Sequence, residues 1–146
     1  MPKLLILYDS QTGNTEKMAV TVAEGAHSVV GVEVVLKYYA WPEELAEASA
    51  IILGSPTYYH DMTLPIKQVM GEAARAEIQL KDKIGVAFGS YGWSGEAPEL
   101  VLEVLKHRFG MKVLTPRLTA LYTSNETNLE ECRKLGRMVA EKIGGR

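Results

Sequence analysis

The segment Asp9-Ser10-Gln11-Thr12-Gly13-Asn14-Thr15 concentrates neutral hydrogen-bonding groups: three hydroxyls, two amides and one glycine, with the first cation, Lys17, further on. Between a strand and a helix, such a loop suits a terminal phosphate. Backbone N–H groups at a helix start have no partners inside the helix, and the helix dipole favours an anion there. The hydroxyls of Ser10, Thr12 and Thr15 add further donors. Gly13 lets the backbone turn tightly and approach a ligand. An ordinary helix cap needs one Ser, Thr, Asp or Asn, whereas here Ser10, Thr12, Asn14 and Thr15 surround a glycine. The G-x-x-x-x-G-K-[ST] loop of nucleoside triphosphatases and the G-x-G-x-x-G dinucleotide fingerprint are both absent. ATP hydrolysis and NAD binding through a Rossmann turn thereby lose their main support.

Two other segments carry aromatic residues among small ones. The first is Ser55-Pro56-Thr57-Tyr58-Tyr59-His60, followed by Asp61; the second is Ser90-Tyr91-Gly92-Trp93-Ser94-Gly95, preceded by Gly89 and followed by Glu96. Exposed aromatics in loops need a reason. A flat, mostly apolar ring between Tyr58 or Tyr59 and Trp93 would supply one by stacking and burial. The glycines around Tyr91 and Trp93 would let backbone amides reach the ring edge. The alternative is that these aromatics cover the sheet edge or form a protein contact.

The elements that must position these segments follow from periodicity. Lys3 to Tyr8 is a continuous apolar run, the pattern of a strand covered on both faces. From Thr15 to Val30, Met18, Ala19, Val22, Ala23, Ala26, Val29 and Val30 recur at helical spacing, with Gly31 as the stop. Val32 to Tyr38 reads as a second strand, Pro42 to Glu47 as a short acidic helix, and Ala50 to Leu53 as a third strand. A helix over Leu64 to Ala76, with Thr63 as cap and Pro65 in its first turn, precedes a fourth strand at Lys83 to Phe88. Pro98 to Phe109 reads as a helix with Val101, Val104, Leu105 and Arg108 along one side. Met111 to about Leu118 reads as a fifth strand that Pro116 interrupts or ends. Leu129, Cys132, Gly136, Val139 and Ile143 mark the buried stripe of a last helix. Strands alternating with helices predict an α/β fold: a doubly wound, five-stranded parallel sheet with helices on both faces. In such folds ligands bind at the carboxyl ends of the strands, beside the topological switch point. All three segments belong there.

The remaining composition narrows the classes. The chain of 146 residues is the length of one domain, 1–146. A net charge of −2 argues against a nucleic-acid surface. The apolar runs are too short to cross a bilayer, and Met1-Pro2-Lys3 leads into a strand with no signal-peptide pattern. A cytoplasmic location is therefore expected. Cys132 is the sole cysteine, which excludes a disulfide framework and a C-x-x-C redox pair; its place on an apolar stripe makes it a core residue. His27, His60 and His107 are separated from one another and have no metal-ligand spacing. His27 and His107 read as surface residues at helix ends, and His60 as a neighbour of the ring edge.

Taken with these motifs, the sequence resembles the flavodoxin family in its short-chain form. The string from Ser10 to Thr15 matches the family's [ST]-x-T-G-x-T phosphate loop, placed after the first strand. The resemblance spans the chain and implies a strand order of 2-1-3-4-5. It also implies non-covalent FMN, with the phosphate at Ser10 to Thr15 and the ring between Ser55 to His60 and Ser90 to Gly95. Within the family, Leu53-Gly54-Ser55-Pro56-Thr57 and Phe88 to Ala97 are similar to the flavodoxin-like domain of A-type flavoproteins. In those proteins this domain passes electrons to a di-iron domain that reduces oxygen or nitric oxide. The di-iron domain is missing here, so a stand-alone relative is expected. The implied role is electron transfer between redox protein partners, with an FMN-dependent NAD(P)H:quinone-type reductase as the alternative. A phosphoacceptor receiver would need an aspartate at the end of strand three, where Leu53-Gly54-Ser55 stands.

Two departures from the family stand out. The weak charge leaves partner selection by bulk electrostatics without support. The third-strand loop also lacks the glycine that often follows its first aromatic. Tyr59 and His60 stand there instead, where a positive φ would cost a non-glycine residue energy.

Overall fold

Leu4, Leu5, Ile6 and Leu7 of β1 (Lys3–Tyr8) are all buried, so successive side chains need apolar cover on opposite faces of the sheet. The computed structural model describes residues 1–10, 13–91, 95–114 and 125–144, together with the backbone of 118–121. Leu4, Ile6 and Tyr8 join one core with Met18, Ala19, Val22, Cys132 and Val139 from α1 (Asn14–His27) and α5 (Glu126–Lys142). Leu5 and Leu7 join the other. Its helical partners are α2 (Pro42–Glu47), α3 (Leu64–Arg75) and α4 (Ala97–His107).

The sheet is parallel, in the order β2 (Glu33–Lys37), β1, β3 (Ala50–Gly54), β4 (Ile84–Tyr91), β5 (Lys112–Val113). The fifth position differs from expectation. Instead of one strand from Met111 to Leu118, β5 pairs with the start of β4 and β6 (Leu118–Leu121) pairs with its end. Met111 is buried beside the sheet rather than in a strand, and Pro116 lies outside the described residues. The order reverses between β1 and β3: β1 is followed by its neighbour on one side, β3 by its neighbour on the other. The crevice at their carboxyl ends is the switch point.

Several boundaries shift. Helix α1 stops at His27, four residues before Gly31, and Val30 is 74% exposed rather than part of the buried stripe. Arg108 follows α4 and is exposed, so it does not belong to that helix's buried side. Strand β4 continues through Ser90 and Tyr91, and β3 takes in Gly54, because both edges of each strand there find backbone partners. His27 and His107 do end their helices, exposed. Cys132 is fully buried, and burial pushes its thiol up to about 12.

Helices α1 and α5 approach unusually closely. A Cβ at Gly136 would fall 1.9 Å from the Val22 carbonyl oxygen, and one at Gly25 would fall 1.9 Å from that of Arg133. This contact fixes the helix whose first turn faces the crevice.

Candidate functional site

The phosphate-loop prediction meets a specific local structure. The N-cap of α1 is Gly13, at φ 91 and ψ −7, and among the described residues no side chain caps the helix. Glycine tolerates this left-handed conformation, and a Cβ there would meet nothing within 4 Å. Among the described residues nothing fills the space beside that position. The Gly13 N–H donates to Ser10 Oγ at 3.1 Å, which closes the loop before the helix. The first helical N–H to reach a carbonyl four residues back is that of Lys17, bonded to Gly13 at 3.0 Å. The N–H groups of Asn14, Thr15 and Glu16 have no such partner within the helix and lie where an anion would be held. Gln11 and Thr12, two of the expected site residues, lie outside the described residues.

Behind this turn, buried Thr15 meets buried Ser90: Oγ1 and Oγ are 2.9 Å apart. Two hydroxyls that share one hydrogen bond retain one further hydrogen for another acceptor. The Asp9 N–H donates to the Gly54 carbonyl at 3.0 Å, tying the loop to the end of β3. One carboxylate oxygen of Asp9, Oδ2, is buried without a partner among the described residues. A ligand hydroxyl would satisfy that acceptor.

On the ring side, Ser55, Pro56 and Thr57 are buried, and the two hydroxyls work inward. Ser55 Oγ donates to the Pro56 carbonyl at 2.9 Å and accepts the Thr63 N–H at 3.1 Å. Thr57 Oγ1 accepts the Ala97 N–H at 3.0 Å. Backbone bonds from Ser55 N–H to Phe88 and from Thr57 N–H to Ser90 extend the pairing with β4 past the end of β3. The Ser55 and Thr57 hydroxyls thus hold the segment in place at the end of β3. Gly89 is required for that approach, since a Cβ there would fall 1.9 Å from the Ser55 carbonyl oxygen.

Beyond Thr57 the chain makes a two-residue reversal. The Tyr58 N–H donates to the Asp61 carbonyl and the Asp61 N–H to that of Tyr58, both at 3.0 Å. Between them Tyr59 and His60 sit at φ 51 and 63. Positive φ at both central residues is the signature of a type I′ turn, which ordinarily takes Asn-Gly. Tyr59 and His60 therefore carry the strain that a positive φ imposes on non-glycine residues. Polar contacts hold the turn. Asp61 Oδ1 accepts the Met62 N–H at 2.8 Å, and Oδ2 pairs with Lys67, which holds the carboxyl below its usual range. His60 Nδ1 lies 2.6 Å from Glu96 Oε2, linking the turn to the start of α4. Tyr58 is half-buried and Tyr59 is 98% exposed. Tyr91 is half-buried with its ring against Gly95. Gly92, Trp93 and Ser94 lie outside the described residues.

Asp9, Asp61 and Glu96 were not singled out by the sequence, because a carboxylate in a loop has no periodicity and its partners are distant in the chain. Thr63 occupies the N-cap of α3, as expected, but makes no capping bond; its hydroxyl is buried without a partner among the described residues.

The fold and crevice define a class: an open α/β domain whose switch point is flanked by a helix N-terminus and by the extended ends of β3 and β4. The flavodoxin family model matches residues 6–136, and the chain belongs to the flavodoxin family. It is 34% identical to a flavodoxin of Aquifex aeolicus, over 98% of this chain and 88% of that one. It is 36% identical to the type A flavoprotein fprA of Rhodobacter capsulatus over 98% of its length, but spans only 34% of that protein. Among solved structures, a flavodoxin from the domain Archaea superposes with a TM-score of 0.87 at 42% identity, covering 97% of this chain and 98% of that one. As a member of this family the chain binds FMN non-covalently. The open cap at Gly13, the spare hydroxyl hydrogen of the Thr15–Ser90 pair and the orphaned Asp9 oxygen fit a phosphate on a polyhydroxyl chain. Among the described residues no helix is long and apolar enough to cross a membrane.

Proposed function

We propose that this chain is an electron carrier that holds the FMN phosphate at Ser10 to Thr15 and the flavin ring between Ser55 to His60 and Ser90 to Gly95. The observation that carries this reading is the left-handed Gly13 cap. Among the described residues it leaves the first turn of α1 without a side-chain cap and with free space beside it. A bound phosphate would take the place of the cap. The uncharged donors there suit a phosphate that remains solvated on one side, because water, the helix N–H groups and the helix dipole then offset its charge without a cation.

Bound FMN supplies one- and two-electron chemistry, and no acid, base or nucleophile of the chain is needed for it. The chain's residues bind, orient and shield. Thr15 and Ser90 fix the helix start against β4. The Ser55–Thr57 extension sets one wall at a distance limited by Gly89. The Tyr58–Asp61 reversal holds an aromatic pair at the rim, with Tyr59 outside and Tyr58 partly inside.

Redox proteins are the partners this reading supplies, and a cytoplasmic location accords with it. The type A flavoprotein relatives make oxygen- or nitric-oxide-reducing centres reasonable acceptors. The test is to reduce the FMN-loaded protein and mix it anaerobically with candidate acceptors. Rapid reoxidation by a protein acceptor is expected. Steady turnover with NAD(P)H and quinone by the protein alone would instead make it a reductase.

A further inference from the structure

Among the described residues strand β2 is one edge of the sheet, and its sequence Glu33-Val34-Val35-Leu36-Lys37 is charge-complementary to itself when reversed. The Glu33 N–H donates to the Pro2 carbonyl at 2.8 Å, toward β1. Along a strand the backbone groups of alternate residues point to opposite edges, so Val35 and Lys37 also face β1, while the N–H and C=O of Val34 and Leu36 face outward. An antiparallel pairing centred on Val35 would set Val34 opposite Leu36 of a second copy, and the reverse, with all four outward groups of each strand matched. The same register sets Glu33 opposite the second copy's Lys37 at both ends. Hydrogen-bond phase and charge thus select one register, and a two-fold axis through Val35 satisfies both.

The flanks of β2 point the same way. Val34, Val35 and Leu36 are only half-buried. Three large apolar residues beside the strand are exposed: Val30 at 74% before it, Tyr38 at 71% and Trp41 at 61% after it. Antiparallel pairing brings the Val30 end of each copy alongside the Tyr38–Trp41 end of the other. A groove of about 490 Å³, with Tyr8, Leu36, Tyr38 and Trp41 in its lining, opens at that end. Lys37, already paired with Glu44 of α2, would lie between Glu44 and the second copy's Glu33.

We propose that the chain forms a two-fold dimer by antiparallel pairing of β2 with β2 of a second copy, in the register Glu33–Lys37. The FMN crevice lies at the switch point, one strand inward, and stays accessible in this arrangement.

The test is the solution mass of the FMN-loaded protein by sedimentation equilibrium in the analytical ultracentrifuge, from about 1 to 200 μM. A dimer is expected for the native sequence. Glu33→Lys sets like charges opposite each other at both ends and is expected to weaken dimerisation by about tenfold, as is Lys37→Glu. The double reversal Glu33→Lys with Lys37→Glu restores complementarity and is expected to restore the dimer. Val34→Pro removes an outward N–H while sparing the bonds to β1, and is expected to yield a monomer that retains FMN. A native chain that is monomeric across this range overturns the proposal. So does a dimer indifferent to the single reversals, or a double reversal no stronger than the singles.

Discussion

The Thr15 hydroxyl meets that of Ser90 at 2.9 Å, joining the first turn of α1 to the end of β4 across 75 residues of sequence. Both groups are buried. Thr15→Val keeps the shape but strands the Ser90 hydroxyl, at a cost of about 1–3 kcal/mol. Urea unfolding of the apoprotein reads this, with Thr15→Ser near the native value. FMN affinity should fall by about tenfold or more in Thr15→Val, measured by flavin fluorescence. An unchanged unfolding midpoint would contradict the role given to the pair.

Gly89→Ala inserts a Cβ 1.9 Å from a backbone oxygen that cannot rotate away. The Ser55–Thr57 extension must then move off β4. A loss of about 1–3 kcal/mol in stability is expected, with a larger proportional loss in FMN affinity. Thermal melts of apo and FMN-loaded protein separate the two. Equal loss in both forms would place the damage in the sheet alone.

At Tyr59 the left-handed backbone, φ 51, disfavours a side chain, and the ring is almost wholly in solvent. Tyr59→Gly relieves strain of about 1–2 kcal/mol and gives up part of it in unfolded-state entropy. The expected net effect on the apoprotein is between neutral and about 1 kcal/mol stabilising. Destabilisation by more than that would mean that the ring makes a contact the structure does not contain.

The Cys132 thiol is held neutral by burial, its titration raised from 9.0 to about 12. The unfolded thiol ionises first, so this group favours the folded state below pH 9 and withdraws that support as pH rises toward 12. Stability should fall across that window more steeply in the native chain than in Cys132→Ala, after allowing for the cavity the latter creates. At pH 8, a thiol reagent should label Cys132 only after unfolding.

The sheet was legible because its signals are local. Runs such as Leu4 to Leu7 and Ile51 to Leu53 admit little besides buried strands, and α2 appears with the bounds its Pro42 start predicts. Strand ends were less legible. Ser90 and Tyr91 looked like loop from their small and aromatic types, but pairing with β6 and the Thr57 extension keeps them in β4. The phosphate segment was visible as a motif, while its partner Ser90 became specific only once the fold brought β4 beside α1. The cost of replacing glycine at Tyr59 and His60 was readable from backbone preference alone. The contacts that hold the turn, Asp61 with Lys67 and His60 with Glu96, depend on tertiary placement and carry no sequence signature.

The proposed phosphate site is the N-terminus of α1 at its Gly13 cap. The direct measurement is titration of the apoprotein with FMN and with riboflavin, which share the ring and the ribityl chain and differ in the phosphate. FMN should quench on binding with an affinity at least about a hundredfold above that of riboflavin, roughly 2.7 kcal/mol for the phosphate contacts. Equal affinity for the two would remove the phosphate from Ser10 to Thr15 and contradict the account.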